Sequence, residues 1–298
     1  MKEYLIWLAK FVTIVMVLVV VLPVIMAAVM AISQTALEGL PHGSRKSVAV
    51  VEIDGTITSS REVLEQLYKE AANDKVKGIV LRVDSPGGAV GPSQEIYSAV
   101  KTLKTQKPIV ASMSGVAASG GLYVTLGASR VLAQPGTLTG SIGVLLQIPN
   151  FTKIADTIGV DFVTIKSGKL KDAGNTFRPM TDEEREFLQM TILSANQDFI
   201  NAVSEGRGIP REQVEKFADG RVILGTEARQ LGLIDGFGDI YDAARAVFEL
   251  LGEPLADKEV PRLIYAGDKF ERIRDILESF SSIREIFSRT PRLQYIMN

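Results

Sequence analysis

The stretch Pro108-Ile-Val-Ala-Ser-Met113, which continues from Ser112 as Ser-Met-Ser-Gly-Val-Ala-Ala-Ser-Gly-Gly-Leu-Tyr-Val124, is the one around which the chain is organised. Apolar, β-forming residues run into small ones and present Ser119, followed at once by Gly120 and Gly121, before an apolar segment able to start a helix. A strand that ends in this way holds a serine hydroxyl at the edge of a sheet. Small neighbours let a substrate backbone come close, and a glycine after the serine leaves its N–H free to donate to an oxyanion. A small-residue turn packing a helix tightly on a strand has the same appearance, so this stretch alone does not separate catalysis from packing.

Outward from it, strand and helix patterns alternate. Ser47 to Ile53 and Gly78 to Asp84 are continuous apolar runs of the kind buried in parallel sheets, with a helical pattern over residues 60–73 between them. The second strand ends in Ser85-Pro86-Gly87-Gly88, a tight turn leading to a helix over residues 92–105. Such strand-to-helix turns collect ligands in open α/β folds, because backbone N–H groups there are unpaired. Two short strands are expected at residues 130–133 and 139–145, the second within Thr139-Gly140-Ser141-Ile142-Gly143-Val144. A further strand, 161–165, enters the polar loop of residues 166–179. Helices follow at 181–206, where Thr181 and Glu184 form a capping-box signature, and at 225–232 and 239–251. From Asp268 to Arg289 apolar residues recur at three- and four-residue steps, which predicts an amphipathic tail helix packed on its own domain, a neighbouring subunit or the membrane surface.

Residues 11–32 carry no charge over a length that matches the roughly 20 residues of a membrane-spanning helix, and the run exceeds a signal peptide's apolar region of about 7 to 15 residues. An uncleaved anchor is expected, followed by a linker over residues 33–46. Lys2 and Lys10 before the span and Arg45 and Lys46 after it leave the orientation open on charge alone.

Composition removes several chemistries. Lys plus Arg number 33 against 35 for Asp plus Glu, a net charge of −2 that offers no broad footprint for nucleic acid. There is no cysteine, so thiol nucleophiles, disulfides and thiolate metal sites are absent. The one histidine, His42, sits in the linker, a poor place to hold a general base, and no metal or cofactor motif is present. If Ser119 is a nucleophile, the remaining base is a lysine kept neutral by a dry cleft, since a primary amine accepts the serine proton once its pKa falls from about 10.4 toward 7. Lys166, Lys169 and Lys171 all lie in the 166–179 loop, and charge arguments do not choose among them.

The ordered motifs SPGG at 85–88, ASGG at 118–121, TGSIGV at 139–144 and SGKLKDAGNTFRPMTDEER at 167–185, behind an N-terminal apolar run, resemble the signal peptide peptidase A family of Ser-Lys proteases (peptidase family S49) over about residues 47–250. The resemblance implies an α/β ClpP/crotonase-like repeated β-β-α core over residues 47–252, preceded by one transmembrane helix and followed by a helical extension over 253–298. It implies Ser119 as nucleophile, Lys171 as general base, Ser141 as the residue orienting that lysine, and the N–H groups of Gly88 and Gly120 as the oxyanion hole. It also implies a homo-oligomeric ring whose sites are completed between subunits, anchored in the inner membrane with the catalytic part outside the cytoplasm. The substrates it implies are signal peptides and other apolar peptides. Two rival expectations remain: a stomatin-associated Ser-Lys protease of the same core logic, and a non-catalytic crotonase-like membrane scaffold.

Overall fold

The computed structural model describes residues 2–17 and 46–267, and the two stretches belong to separate compact units. In the first unit α1, Lys2–Met16, is a helix on which Tyr4, Trp7 and Phe11 stack in sequence. Residues 18–32, most of the expected anchor, lie outside the described residues, as do His42 and the predicted tail helix. Among the described residues no helix is long and apolar enough to cross a membrane.

The second unit is built on parallel strands joined by helices. In chain order they are β1 (Ser47–Asp54), α2 (Arg61–Ala71), β2 (Ile79–Ser85), α3 (Val90–Leu103), β3 (Ile109–Ala117), α4 (Gly120–Thr125) and β4 (Arg130–Ala133). Then come β5 (Leu138–Gly140), α5 (Thr152–Ile158), α6 (Asp182–Arg207), α7 (Arg211–Val214), β6 (Val222–Leu224) and α8 (Gly225–Gln230). The unit closes with β7 (Gly236–Phe237), α9 (Ile240–Leu250) and β8 (Arg262–Tyr265). The strand order is β6-β5-β3-β2-β1-β8, with β4 pairing β3 and β7. Alternate residues of each strand point to opposite faces, and here both faces are dry. Ala49, Val51, Ile79, Leu81, Ile109 and Ala111 join one core with α2, α3, α4 and α6, while Val48, Val50, Val80 and Val110 pack against Val247 and Phe248 of α9 in a second.

Beyond the main strands, short segments form a second layer. Ile57 bridges Gly88 in parallel, Val116 pairs with Leu138, and β5 runs antiparallel to β6. A long strand, a short segment and a helix therefore recur along the chain, which is the β-β-α unit the motifs imply. The β2–β3 register shifts between Val83 and Ser85, so that Ser85 meets Ala117, and this irregularity turns the ends of both strands toward the second layer.

Three local expectations are corrected. Residues 161–165 form no strand: Val163 is 89% and Ile165 96% exposed, so these β-forming residues find no strand edge to join among the described residues. The 139–145 strand is confined to Leu138–Gly140, because Gly140 and then Ser141 take positive φ values that end the ladder. Residues 262–265, assigned by sequence to the helical extension, are the edge strand β8, paired in parallel with Ser47 to Val50 of β1.

Candidate active site

Ser119 stands between β3 and α4 at φ 53° and ψ −121°. An L-residue avoids this conformation because its Cβ crowds the backbone, at a cost of about 1–3 kcal/mol. Only Ser119 and Ser141 among the described non-glycine residues have positive φ, and both line one cleft. Two backbone bonds hold the turn: Ser119 N–H donates to Gly140 O at 2.9 Å, and Tyr123 N–H to Ser119 O at 2.9 Å. Ser141 is fixed in turn by its N–H, which donates to Arg221 O at 2.7 Å. Neither serine hydroxyl makes a hydrogen bond among the described residues, so both are available to the cleft.

The expected oxyanion donors meet beside Ser119. Ile57 N–H donates to Gly87 O and Ala89 N–H to Ile57 O, which directs the intervening Gly88 N–H away from Ile57. The Gly120 N–H opens a helix and has no intrahelical acceptor. A Cβ built on Gly120 would lie 3.1 Å from Gly88 N, so the two glycines stand side by side in the cleft wall. Gly87 makes this approach possible: at φ +103°, a Cβ there would stand 2.6 Å from Gly120 N and 2.9 Å from Ser119 Cβ. Buried Ser85 accepts the Gly87 N–H on its hydroxyl at 3.1 Å and completes the turn.

The cleft encloses about 630 Å3. Val90, Ile142, Val144, Leu145, Ile192 and Phe199 give it an apolar wall, and Gln189, Asn196 and Asp219 add polar groups. Hydrogen bonds from Arg221 hold the Asp219 carboxyl down at about 2, so it is anionic at neutral pH. The α6 wall was not singled out from sequence, although Gln189, Ile192, Leu193 and Asn196 recur at helical steps on one face and carry that signal. The contribution of Asp219 and Gly220 comes from a loop far along the chain and has no local signature.

The third expected participant is elsewhere. Lys171 is exposed and does not line the cleft that holds Ser119, Ser141, Gly88 and Gly120. The structure does distinguish it from its neighbours. Lys166 Nζ donates to the Asp172 carboxylate and to Lys169 O, and Lys169 Nζ lies 3.8 Å from Glu183. Lys171 alone of the three has no carboxylate partner among the described residues. Next to it, Asp172 is held at about 2 by hydrogen bonds from Lys166 and then Arg178, and Glu184 at about 2 chiefly by Arg178 and the Thr181 N–H.

A serine on a strained strand-to-helix turn, in an apolar-walled cleft that Gly88 and Gly120 also line, suits a serine hydrolase on an α/β frame. The model of peptidase family S49 matches residues 101–252, and that of the Clp protease family residues 45–137. A Synechocystis sp. protein provisionally named a protease is 39% identical over 210 residues, 70% of this chain and 76% of that one. An Enterococcus faecium protein provisionally named signal peptide peptidase SppA is 34% identical over 214 residues, 67% of this chain and 62% of that one. The chloroplastic serine protease SPPA of Arabidopsis thaliana is 32% identical over 254 residues, 80% of this chain but only 37% of its own length. The chain belongs to peptidase family S49, the signal peptide peptidase A family, and is a serine peptidase.

Proposed function

We propose that the protein is a membrane-anchored endopeptidase that cleaves signal peptides and other apolar peptides with a Ser119–Lys171 dyad assembled between subunits. The observation that supports this reading is that Ser119, Ser141, Gly88 and Gly120 line one cleft that no lysine lines, while the exposed Lys171, without a carboxylate partner among the described residues, stands outside it. Ser119 Oγ attacks the scissile carbonyl carbon as neutral Lys171 Nζ of a neighbouring copy takes its proton, and the oxyanion lies between the Gly88 and Gly120 amides. Collapse of the tetrahedral adduct breaks the C–N bond, and the lysine ammonium protonates the leaving amine. Water then gives its proton to the same lysine and attacks the acyl-enzyme, releasing the acid and restoring the Ser119 hydroxyl. The Ser141 hydroxyl, free in the cleft wall, is suited to orient the incoming amine. The apolar wall favours apolar peptide segments, and the uncharged run over residues 11–32 suits a membrane anchor, with the extracytoplasmic side taken from the family resemblance.

Subunit mixing tests this directly. Ser119→Ala and Lys171→Ala each reduce hydrolysis of an apolar fluorogenic peptide by roughly 1,000-fold or more. Co-assembly of the two inactive variants restores activity, because some interfaces then combine an intact serine with an intact lysine. Mixtures that stay inactive after verified co-assembly exclude a dyad shared between chains.

A further inference from the structure

Arg178 has no contact with the cleft, yet it joins Lys171's own neighbour to the longest helix of the fold. Its Nε donates to Asp172 Oδ2 at 3.0 Å and its Nη2 to Asp172 O at 3.2 Å. The other side of the guanidinium grips Glu184, with Nη1 on Oε2 at 2.9 Å and Nη2 on Oε1. Glu184 is itself buried and bonded on both sides. Its side chain is 3% exposed, and it closes the α6 capping box by accepting the Thr181 N–H at 2.9 Å while its own N–H donates to Thr181 Oγ1 at 3.2 Å. The opposite oxygen of Asp172 takes Lys166 Nζ. Three turn bonds, Lys171 N–H to Gly168 O, Ala173 N–H to Leu170 O and Asn175 N–H to Asp172 O, shape the backbone on either side of Lys171.

The loop is thus clamped one residue from Lys171 while the Lys171 amine is left unpaired. Charge balance calls for a cation at buried Glu184 beside Lys166 at Asp172, but it does not require that one group bond both carboxylates. What Arg178 adds is geometry: a planar fork that bonds two carboxylates and a carbonyl in fixed directions, which a lysine ammonium does not reproduce. The same helix continues to Gln189, Ile192, Asn196 and Phe199 in the wall of the cleft, and the Phe199 ring packs tilted at 53°, centroids 4.9 Å apart, against Tyr123 of α4, the helix that Ser119 caps. One rigid element therefore carries the base-bearing loop at its N-terminus and a wall of the nucleophile's cleft along its middle.

We infer that Arg178 is a positioning residue for catalysis, locking the Lys171 loop onto the N-terminus of α6 so that the lysine is presented at a fixed place to the serine it serves. This rests on the reading of Lys171 as general base. A misplacement of about 1 Å at a reacting group costs on the order of 100-fold in rate, so loosening the clamp lowers turnover without weakening substrate binding.

The test uses the full-length oligomer with Arg178→Lys and Arg178→Met, measured beside Lys171→Ala. For each variant kcat and KM on an apolar fluorogenic peptide, the rate of Ser119 labelling by a fluorophosphonate, the melting temperature and the oligomer mass are determined. The expected result is a fall of about 10- to 100-fold in kcat and in labelling rate for both Arg178 variants, with KM within about twofold and mass unchanged. Arg178→Lys, which keeps the charge, is expected not to rescue. A kcat within about twofold of the parent in either variant overturns the proposal. So does a loss of kcat accompanied by dissociation or by a raised KM, or failure of both variants to fold, since each assigns Arg178 a merely structural role. Full activity of Lys171→Ala removes the dyad reading itself, whereas an inactive Lys171→Ala beside fully active Arg178 variants removes only the positioning role.

Discussion

Ser119 departs from ordinary backbone geometry because three neighbours leave it no alternative. Its N–H is drawn to Gly140, its carbonyl to Tyr123, and Gly87 presses to within contact of its Cβ. The strain is offset by the packing around it and leaves Ser119 in the cleft near Gly88 and Gly120, whose amides are the proposed oxyanion donors. Gly87 is the sharpest point at which to test this geometry. A methyl group there meets Gly120 N at 2.6 Å and occupies a residue at φ +103°, so neither space nor conformation accommodates it. Gly87→Ala is expected to lower kcat by about 100- to 1,000-fold, the cost of losing one oxyanion donor, with the fold retained by circular dichroism. Activity within tenfold of the parent would mean that the SPGG turn does not shape the oxyanion hole.

At the level of elements, the N-terminus of α6 and the loop before it are held by charge, whereas Phe199, Ile200 and Val203 bury the later part of the helix in the core. Asp172 and Glu184 both have carboxyl pKa values lowered to about 2 by their cationic partners. A folded-state pKa below the unfolded value of about 4 means that the stabilisation is complete above the ordinary carboxylate range and drains away as pH falls toward 2. Stability of the parent is therefore expected to decline between about pH 4.5 and 2, and Glu184→Gln to show a smaller acid-dependent loss, as read by melting temperature against pH. Equal acid dependence in the two proteins would show that the Arg178–Glu184 pair contributes nothing. The Thr181 cap is a separate contribution: Thr181→Ala is expected to cost about 1 kcal/mol in chemical denaturation.

At the scale of the whole molecule, the exposed segment at Phe162, Val163 and Ile165 is apolar and unpaired, as a strand awaiting a partner edge would be. If neighbouring copies complete the sites, Ile165→Asp is expected to lower the oligomer mass in light scattering and to reduce activity together, while leaving the subunit's melting temperature unchanged. An intact oligomer with full activity would place the subunit contact elsewhere. The buried strands from Ser47 to Ala117 were legible in sequence because residues hidden on both faces of a sheet must be continuously apolar, and the start of α6 because Thr181 and Glu184 answer its unpaired amides. Segment 161–165 was misread because β-forming residues state a preference for a strand but not the presence of an edge to pair with. β8 was missed for the converse reason, since four residues too short to show a period become a strand only when β1 offers its edge. Local chemistry in the sequence thus determined the serine, its glycines, the absence of a usable histidine and a loop of three candidate lysines. Tertiary structure alone decided that Gly88 and Gly120 share a cleft with Ser119 and Ser141, that among the described residues two of those lysines have carboxylate partners and Lys171 has none, and that no lysine lines the cleft, because contacts between distant parts of a chain leave no mark on local sequence.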